Sequence, residues 1–271
     1  MPCSDVDLSF LRQFIQERSG NVLGPERDNL FEARLFPVWQ GRGMGGLEEL
    51  VQKLRSASDP AFEQAVVDAM TINETSFFRD HAPFDLIREK LLPELIRSRE
   101  KERRLRLWSA ACSSGQEAYS LAMLIRESFP QIGDWKIEII GTDIHAAMIS
   151  RARTGRYERM EINRGLPAGY LLKYFQRDGE EWQVVPELRD MCHFEQLNLT
   201  HISPFFNQFD GILLRNVLFY FSAITQSRIL RCLRTSIRSD GFLILGPSER
   251  AEVPDAWQSF LQGNVCYYRP L

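Results

Sequence analysis

The sequence predicts an α/β fold, and three observations predict it. From Arg104 onward, apolar strand-like runs alternate with helical stretches, the pattern of a parallel sheet carrying helices on both faces. Residues 1 to about 70 show helical periodicity alone. Tyr157–Glu195 breaks the later alternation and reads as a small inserted subdomain. With 271 residues, 44% of them hydrophobic and 25% charged, the chain can build one large or two modest domains with sizeable cores.

The elements follow in order. Leu8, Leu11, Phe14 and Ile15 repeat at helical spacing behind Asp7, a residue suited to cap them, and Gly20 and Gly24 end that helix. A second helix runs from about Pro25 to Trp39, and Gly41, Gly43, Gly45 and Gly46 make the turn after it. A third covers Leu47–Arg55. A fourth starts with Asp59 as cap and Pro60 in its first position. Asn73–Asp80 (NETSFFRD) is polar and aromatic without a period. A long helix from Pro83 to Glu102 follows, with Pro93 placed to kink it. Strands are expected at Leu105–Ala110, Lys136–Thr142, Phe209–Leu214, Gly241–Gly246 and Asn264–Tyr268. Helices are expected at Gln116–Phe129, Ala146–Ala152 and Ile224–Ser239. The insertion, about 157–196, holds a helix near Pro167–Phe175 and strand-like pieces at Gln183–Val185 and His193–Gln196.

Charge and cysteine usage exclude several classes. Residues 1–98 carry 11 basic and 16 acidic side chains, and the whole chain has a net charge of −3, so neither half has the field of a generic nucleic-acid binder. Cysteines stand at 3, 112, 192, 232 and 266 without a CxxC pair, which points to free thiols in a reducing cytoplasm and not to a zinc site or disulfide framework. Met1 runs straight into Ser4, Asp5 and Asp7, unlike a signal peptide, and no apolar run reaches the length of a membrane span. His81, His145, His193 and His201 lack ligand spacing, so no metal is expected. Nothing in the sequence points beyond a monomer.

In open α/β sheets ligands bind beyond the carboxyl ends of the strands. The first strand ends in WSAACSSGQE (Trp108–Glu117), small residues that let a backbone approach a ligand, with neither a Walker lysine nor GxGxxG. Glu117 falls in the first turn of the next helix, where it is either a ligand-binding acid or an acid complementing the helix dipole. The second strand ends in Asp143, placed to accept from two ribose hydroxyls or to cap the following helix. A small-residue loop, an acid at the next strand's end and no phosphate loop together favour S-adenosylmethionine over NAD or ATP. Cys112, inside the loop, reads as a small packed thiol.

Five segments then resemble one family: Asn73–Arg79 (NETSFFR), Trp108–Tyr119 (WSAACSSGQEAY), Gly141–Ile144 (GTDI), Leu214–Phe221 (LRNVLFYF) and, more weakly, Gly246–Glu249 (GPSE). The chain resembles, over nearly its whole length, the CheR family of chemoreceptor glutamate methyltransferases. The resemblance implies a Rossmann-like methyltransferase sheet with an inserted small antiparallel β subdomain, preceded by a small all-α N-terminal domain. Its domains would be 1–70, a cofactor-contacting segment and linker helix at 71–103, and a methyltransferase domain at 104–271. It implies cofactor contacts from Asn73, Thr75, Arg79, Glu117, Asp143, Asn198, Leu199, Arg215 and Asn216, with Arg79 suited to the methionyl carboxylate. Tyr220 matches the tyrosine near the transferred methyl. An arginine of the helix before the first strand is implied to hold the substrate, and the register leaves Arg97 and Arg99 open. The chain departs from the family's pattern at Leu214 (commonly Cys), Ser222 (often Asp), Ala118 (often Pro) and Pro247 (usually His).

The implied partner is the cytoplasmic helical bundle of membrane chemoreceptors. Arg27, Arg34, Arg42, Lys53 and Arg55 are the basic residues of the first domain that could meet it, or ordinary surface charges. Lys101, Arg103, Arg104 and Arg106 with Arg99 form a second cluster, either a solvated helix end or a guide for an acidic receptor. The short loop around Arg177–Trp182, with one glycine, leans toward a member that needs no receptor C-terminal pentapeptide. Two competing classes are an S-adenosylmethionine enzyme acting on nucleic acid or a small molecule, and a non-catalytic receptor-binding module. RNVLFYF in place of an NPPY-like motif opposes the first, and the retained Glu117, Asp143, Arg215 and Tyr220 oppose the second.

Overall fold

Ser4, and not Asp7, caps the first helix in the computed structural model, which describes residues 4–56, 58–203 and 208–271. The Asp7 amide donates to the Ser4 hydroxyl, while the Asp7 carboxylate accepts from that hydroxyl at 2.7 Å. Both residues favour caps, and this reciprocal arrangement uses each of them. Met1 and Cys3 lie outside the described residues.

The chain divides into two units: Met1–Ile72 with Phe219–Gln226, and Asn73–Leu218 with Ser227–Leu271. The first unit is built on α1 (Asp5–Ser19), α2 (Asn29–Gln40), α3 (Leu47–Ser56) and α4 (Pro60–Met70). Leu11, Ile15, Phe31, Leu35, Leu50, Phe62 and Val66 form its buried interior. Asp59 caps α4 by accepting the Phe62 amide at 3.1 Å. The second stretch joins this unit through backbone: Asn21 bridges Phe221, and the Val22 amide donates to the Tyr220 carbonyl at 2.8 Å. Four of the five basic residues considered for a receptor are engaged within the unit. Arg55 pairs with Asp7, Arg34 donates to the Thr71 carbonyl, and Arg42 and Lys53 lie over the Phe62 ring. Arg27 is exposed.

The second unit opens with α5 (Ala82–Leu86), a π turn over Ile87–Leu91, and α6 (Leu92–Arg99). Pro93 has no amide to give the carbonyl four residues back, and the wider turn before it absorbs the gap that was expected to kink the helix. Then follow β1 (Arg104–Ala110), α7 (Gln116–Ser128), β2 (Lys136–Asp143) and α8 (Ala146–Thr154). The insertion holds β3 (Arg156–Glu158), α9 (Arg159–Asn163), α10 (Ala168–Tyr174), β4 (Phe175–Asp178), β5 (Glu181–Val184) and α11 (Pro186–Arg189). The unit ends with β6 (Cys192–Gln196), β7 (Phe209–Leu214), α12 (Ala223–Ser236, its first turn in the other unit), β8 (Ile237–Leu245), β9 (Trp257–Gln262) and β10 (Val265–Pro270).

Seven strands form one sheet in the order β6-β2-β1-β7-β8-β10-β9. All neighbours are parallel except β10, which runs antiparallel to β8 and β9. Strand order reverses at β1, the arrangement of a Rossmann-like fold, and opens the crevice at the carboxyl ends of β1, β2 and β7. The insertion is a separate antiparallel sheet in the order β3-β5-β4. One boundary needs correction: His193–Gln196 belongs to β6, the edge strand of the main sheet, and not to the inserted subdomain. Its alternating burial, Cys192 and Phe194 inward with His193 and Glu195 outward, reads as a strand in either sheet.

The basic cluster at the end of α6 is an ion network at the amino edge of this sheet. Arg99 is 4% exposed; its Nε donates to Asp210 at 2.7 Å, and its two terminal nitrogens donate to Asp240. Asp210 also accepts the Arg106 amide at the start of β1. Arg103 pairs with Asp134, Arg104 and Arg106 with Glu138, and Arg238 with Glu102. These charges are neutralised locally. Hydrogen bonds from Arg99 outweigh burial and hold the Asp240 carboxyl below its ordinary 3.8. A carboxyl depressed by folding contributes stability above its unfolded value and loses it as pH falls through the folded one. Thermal melts of the wild type should therefore decline in stability below pH 3.8, and Asp240→Asn should flatten that slope; equal slopes would deny the linkage.

Candidate active site

The loop between β1 and α7 is held by packing from below. Gly115 has φ +94°, and a Cβ there would lie 2.9 Å from the Ala152 Cβ and 3.1 Å from the Phe194 ring. A Cβ on Gly141 would meet the same ring at 2.5 Å. The small residues expected to admit a ligand thus first of all admit Phe194 from β6. Tyr157 donates to the Ser114 carbonyl at 2.7 Å, and Ser113 donates from Oγ to the Asn73 carbonyl at 2.9 Å. Non-glycine residues with left-handed backbone cluster at this edge: Phe78, Asp80, His81, Ala111, Ser113 and Asn216. Such residues cost free energy and gather where a loop must hold one shape for function.

Asp143 ends β2 and is 7% exposed. One carboxylate oxygen accepts the Ser113 amide at 2.8 Å and the other accepts the His145 amide at 2.9 Å. The His145 contact braces the residue before α8, whose N-cap is His145, so Asp143 is not the cap of that helix.

Glu117, in the first turn of α7, accepts from Ser109 Oγ at 2.7 Å and from Arg215 Nη1 at 2.9 Å. Arg215 directly follows β7, with its side chain 2% exposed, and its Nη2 donates to the Arg79 carbonyl and to Asp80 at 2.7 Å. Its Nε is buried without an acceptor among the described residues. One guanidinium thus ties α7, the β7 end and the NETSFFRD turn together. Removing either partner from such a buried pair costs about 3–5 kcal/mol. Arg79 is half-buried and donates to the Glu74 carbonyl at 2.8 Å; no carboxylate pairs with it among the described residues.

The other expected residues fall as follows. Asn73 and Thr75 are half-buried in the turn region before Phe77. Asn198 accepts the Thr200 amide and hydroxyl, capping the short turn Leu199–His201, and the Leu197 amide donates to the Asp143 carbonyl, which brings this stretch beside the end of β2. Leu199 is buried there. Asn216 has φ +59°, and its amide donates to Glu249. Tyr220 lies in the first unit. Arg97 and Arg99 are displaced from the expected position: both belong to α6, at the amino edge of the sheet. The seven residues of β1 rise about 3.3 Å each, so its carboxyl end is on the order of 20 Å away. Arg97 is exposed, and Arg99 is consumed by Asp210 and Asp240.

Cys112 is 2% exposed; burial first, and then the Asp143 and Glu117 carboxylates, push its thiol well above the ordinary range. It stays a protonated, packed thiol at neutral pH. No cluster of His, Cys, Asp and Glu suited to a metal occurs among the described residues.

A family model described as the CheR methyltransferase S-adenosylmethionine-binding domain matches residues 73–266. The chain belongs to the CheR methyltransferase family. It is 38% identical to chemotaxis protein methyltransferase 1 of Pseudomonas aeruginosa over 274 residues, covering 99% of each chain. Identity to chemotaxis protein methyltransferase Cher2 of Pseudomonas putida is 37%, covering 95% of each, and to the chemotaxis protein methyltransferase of Vibrio parahaemolyticus 34%, covering 91% of this chain and 90% of that one.

S-adenosylmethionine is thus the cofactor of this CheR-family methyltransferase, as the loop and Asp143 implied, and the site suits it. Asp143 presents a carboxylate at the carboxyl end of β2, and the Arg215 Nε–H is a buried donor without an acceptor among the described residues. No pyrophosphate cradle is needed. Among the described residues no helix is long and apolar enough to cross a membrane. Sequence reasoning missed Asp80, Ser109 and Glu249 as parts of the edge; Glu249 lies in the GPSE segment, the weakest of the five family signals.

Proposed function

We propose that this protein methylates glutamate side chains on the cytoplasmic helical domain of bacterial chemoreceptors, forming glutamyl methyl esters for chemotactic adaptation, and works in the cytoplasm. The observation that carries the reading is the end-to-end likeness to chemotaxis protein methyltransferases, with the acidic and basic residues of the family's motifs gathered at one sheet edge. When bound, S-adenosylmethionine supplies a methyl group already activated by its sulfonium. An ionised glutamate is already a nucleophile at neutral pH, so the chain has no proton to remove. Its task is to bind and align, which can supply about 7–11 kcal/mol.

In this reading Asp143 accepts from the ribose hydroxyls. Glu117 and Arg215 form one wall, and Arg79 grips the methionyl carboxylate with two hydrogen bonds. Asn198, Leu199, Asn73, Thr75 and Asn216 complete the cofactor contacts, and the family resemblance assigns Tyr220 to the acceptor side.

Incubation with methyl-labelled cofactor and receptor-containing membranes should place label on receptor glutamates, and mild base should release it. Label on nucleic acid, or none despite cofactor binding, would sink the reading. Tyr220→Phe should slow transfer about 10²-fold by misaligning the acceptor while leaving S-adenosylhomocysteine affinity nearly intact. A large loss of affinity would reassign Tyr220 to cofactor binding.

A further inference from the structure

Glu249 follows β8 and is 4% exposed. It accepts four backbone amides. Oε2 takes Asn216 at 2.9 Å and Gly246 at 2.6 Å, and Oε1 takes Val217 at 2.8 Å and Leu218 at 2.7 Å. Three consecutive amides converging on one carboxylate require a concave backbone, a nest for an anion. Asn216 meets that requirement with its left-handed φ of +59°. The approach is built in on the other side too, because a Cβ on Gly246 would lie 2.5 Å from Glu249 Oε2 and 2.9 Å from the Asn216 nitrogen.

The nest is the chain immediately after Arg215, whose guanidinium holds Glu117 and Asp80. Without Glu249, three amides between β7 and the next helical turn lose their acceptor, and buried amides do not stay unpaired. The stretch would have to move, and Arg215 and Asn216 would move with it.

We propose that Glu249 is a positioning residue for methyl transfer: its carboxylate fixes the Asn216–Leu218 backbone and through it the aim of Arg215 and Asn216 at the cofactor. The proposal rests on the reading of the site given above. Glu249→Gln keeps the size but turns one acceptor into a donor facing amides. Glu249→Asp keeps the charge but withdraws it by one methylene. Val253→Ala, a buried position in the same stretch, is the control for loss of stability alone.

Two quantities are measured for each protein: S-adenosylhomocysteine affinity by calorimetry, and kcat and KM for methylation of receptor-containing membranes. Glu249→Gln should lose on the order of 10²-fold in affinity or kcat, with Glu249→Asp intermediate. The Val253→Ala control should stay within about twofold of wild type in both. Equal behaviour of Glu249→Gln and Val253→Ala overturns the proposal. Should Glu249→Gln fail to fold, hydrogen exchange of the wild type decides. The amides of 216–218 should be as protected as those of β7, and fast exchange there overturns the proposal. If the wild type methylates no receptor, the substrate reading fails, and the affinity comparison still tests Glu249 by itself.

Discussion

Asp143→Ala is expected to abolish cofactor binding in calorimetry with S-adenosylhomocysteine. Two losses combine. On the proposed reading the ribose hydroxyls lose their acceptor, and the amides of Ser113 and His145, now tied at 2.8 and 2.9 Å, lose theirs. A hydrogen bond to a charged group contributes about 1.5–3 kcal/mol, so losing two hydroxyl contacts alone weakens binding by roughly 10²-fold or more. Release of Ser113 adds to it, because Ser113 also anchors Asn73. Unchanged affinity would refute the ribose role. Asp143→Asn separates the two parts: an amide can still accept from Ser113, but it offers a donor where the second oxygen stood.

Arg99→Ala should cost the protein most in stability and least in substrate recognition. Asp210, with its side chain 2% exposed, would keep the Arg106 amide but lose its nearest cation. Breaking a buried ion pair costs about 3–5 kcal/mol, a large share of the 5–15 kcal/mol typical of a folded domain. At about 2–4 °C per kcal/mol, the melting temperature should fall by roughly 10 °C. KM for receptor membranes at a temperature where the variant stays folded should not change. A raised KM with an unchanged melting temperature would return Arg99 to the substrate-orienting role that the family resemblance first implied.

That displacement shows what a sequence can and cannot place. Glu117 and Asp143 are legible at the carboxyl edge from strand–helix alternation, and Arg215 from the family motif that follows the β7 run. Arg97 and Arg99 sit on a helix with no motif of their own, and only the partners Asp210 and Asp240, 111 and 141 residues away, decide which edge they serve. β9 escapes for a related reason. In Trp257–Gln262 the first residue alone is buried, so the strand has no inside–outside alternation to read, and its pairing with β10 makes it a strand. β6 shows alternation, yet alternation does not say which sheet a strand joins. Glu249 is the opposite case. Its position was visible, but an acid in a loop gives no hint that it gathers four amides.

The bond between the Val22 amide and the Tyr220 carbonyl ties together positions nearly two hundred residues apart. The first unit is therefore discontinuous along the chain and cannot be removed by one cut. Cleavage after Ile72 would strand 219–226 without Asn21 and Val22, and residues 1–72 alone would lack the strip that pairs with them. Closing so long a loop costs only logarithmically more than closing a short one, yet it delays the contact until the intervening chain has ordered. The helical unit that begins synthesis is completed by a segment made after four of the seven strands of the main sheet, so it cannot reach its final form until most of the second unit has been translated.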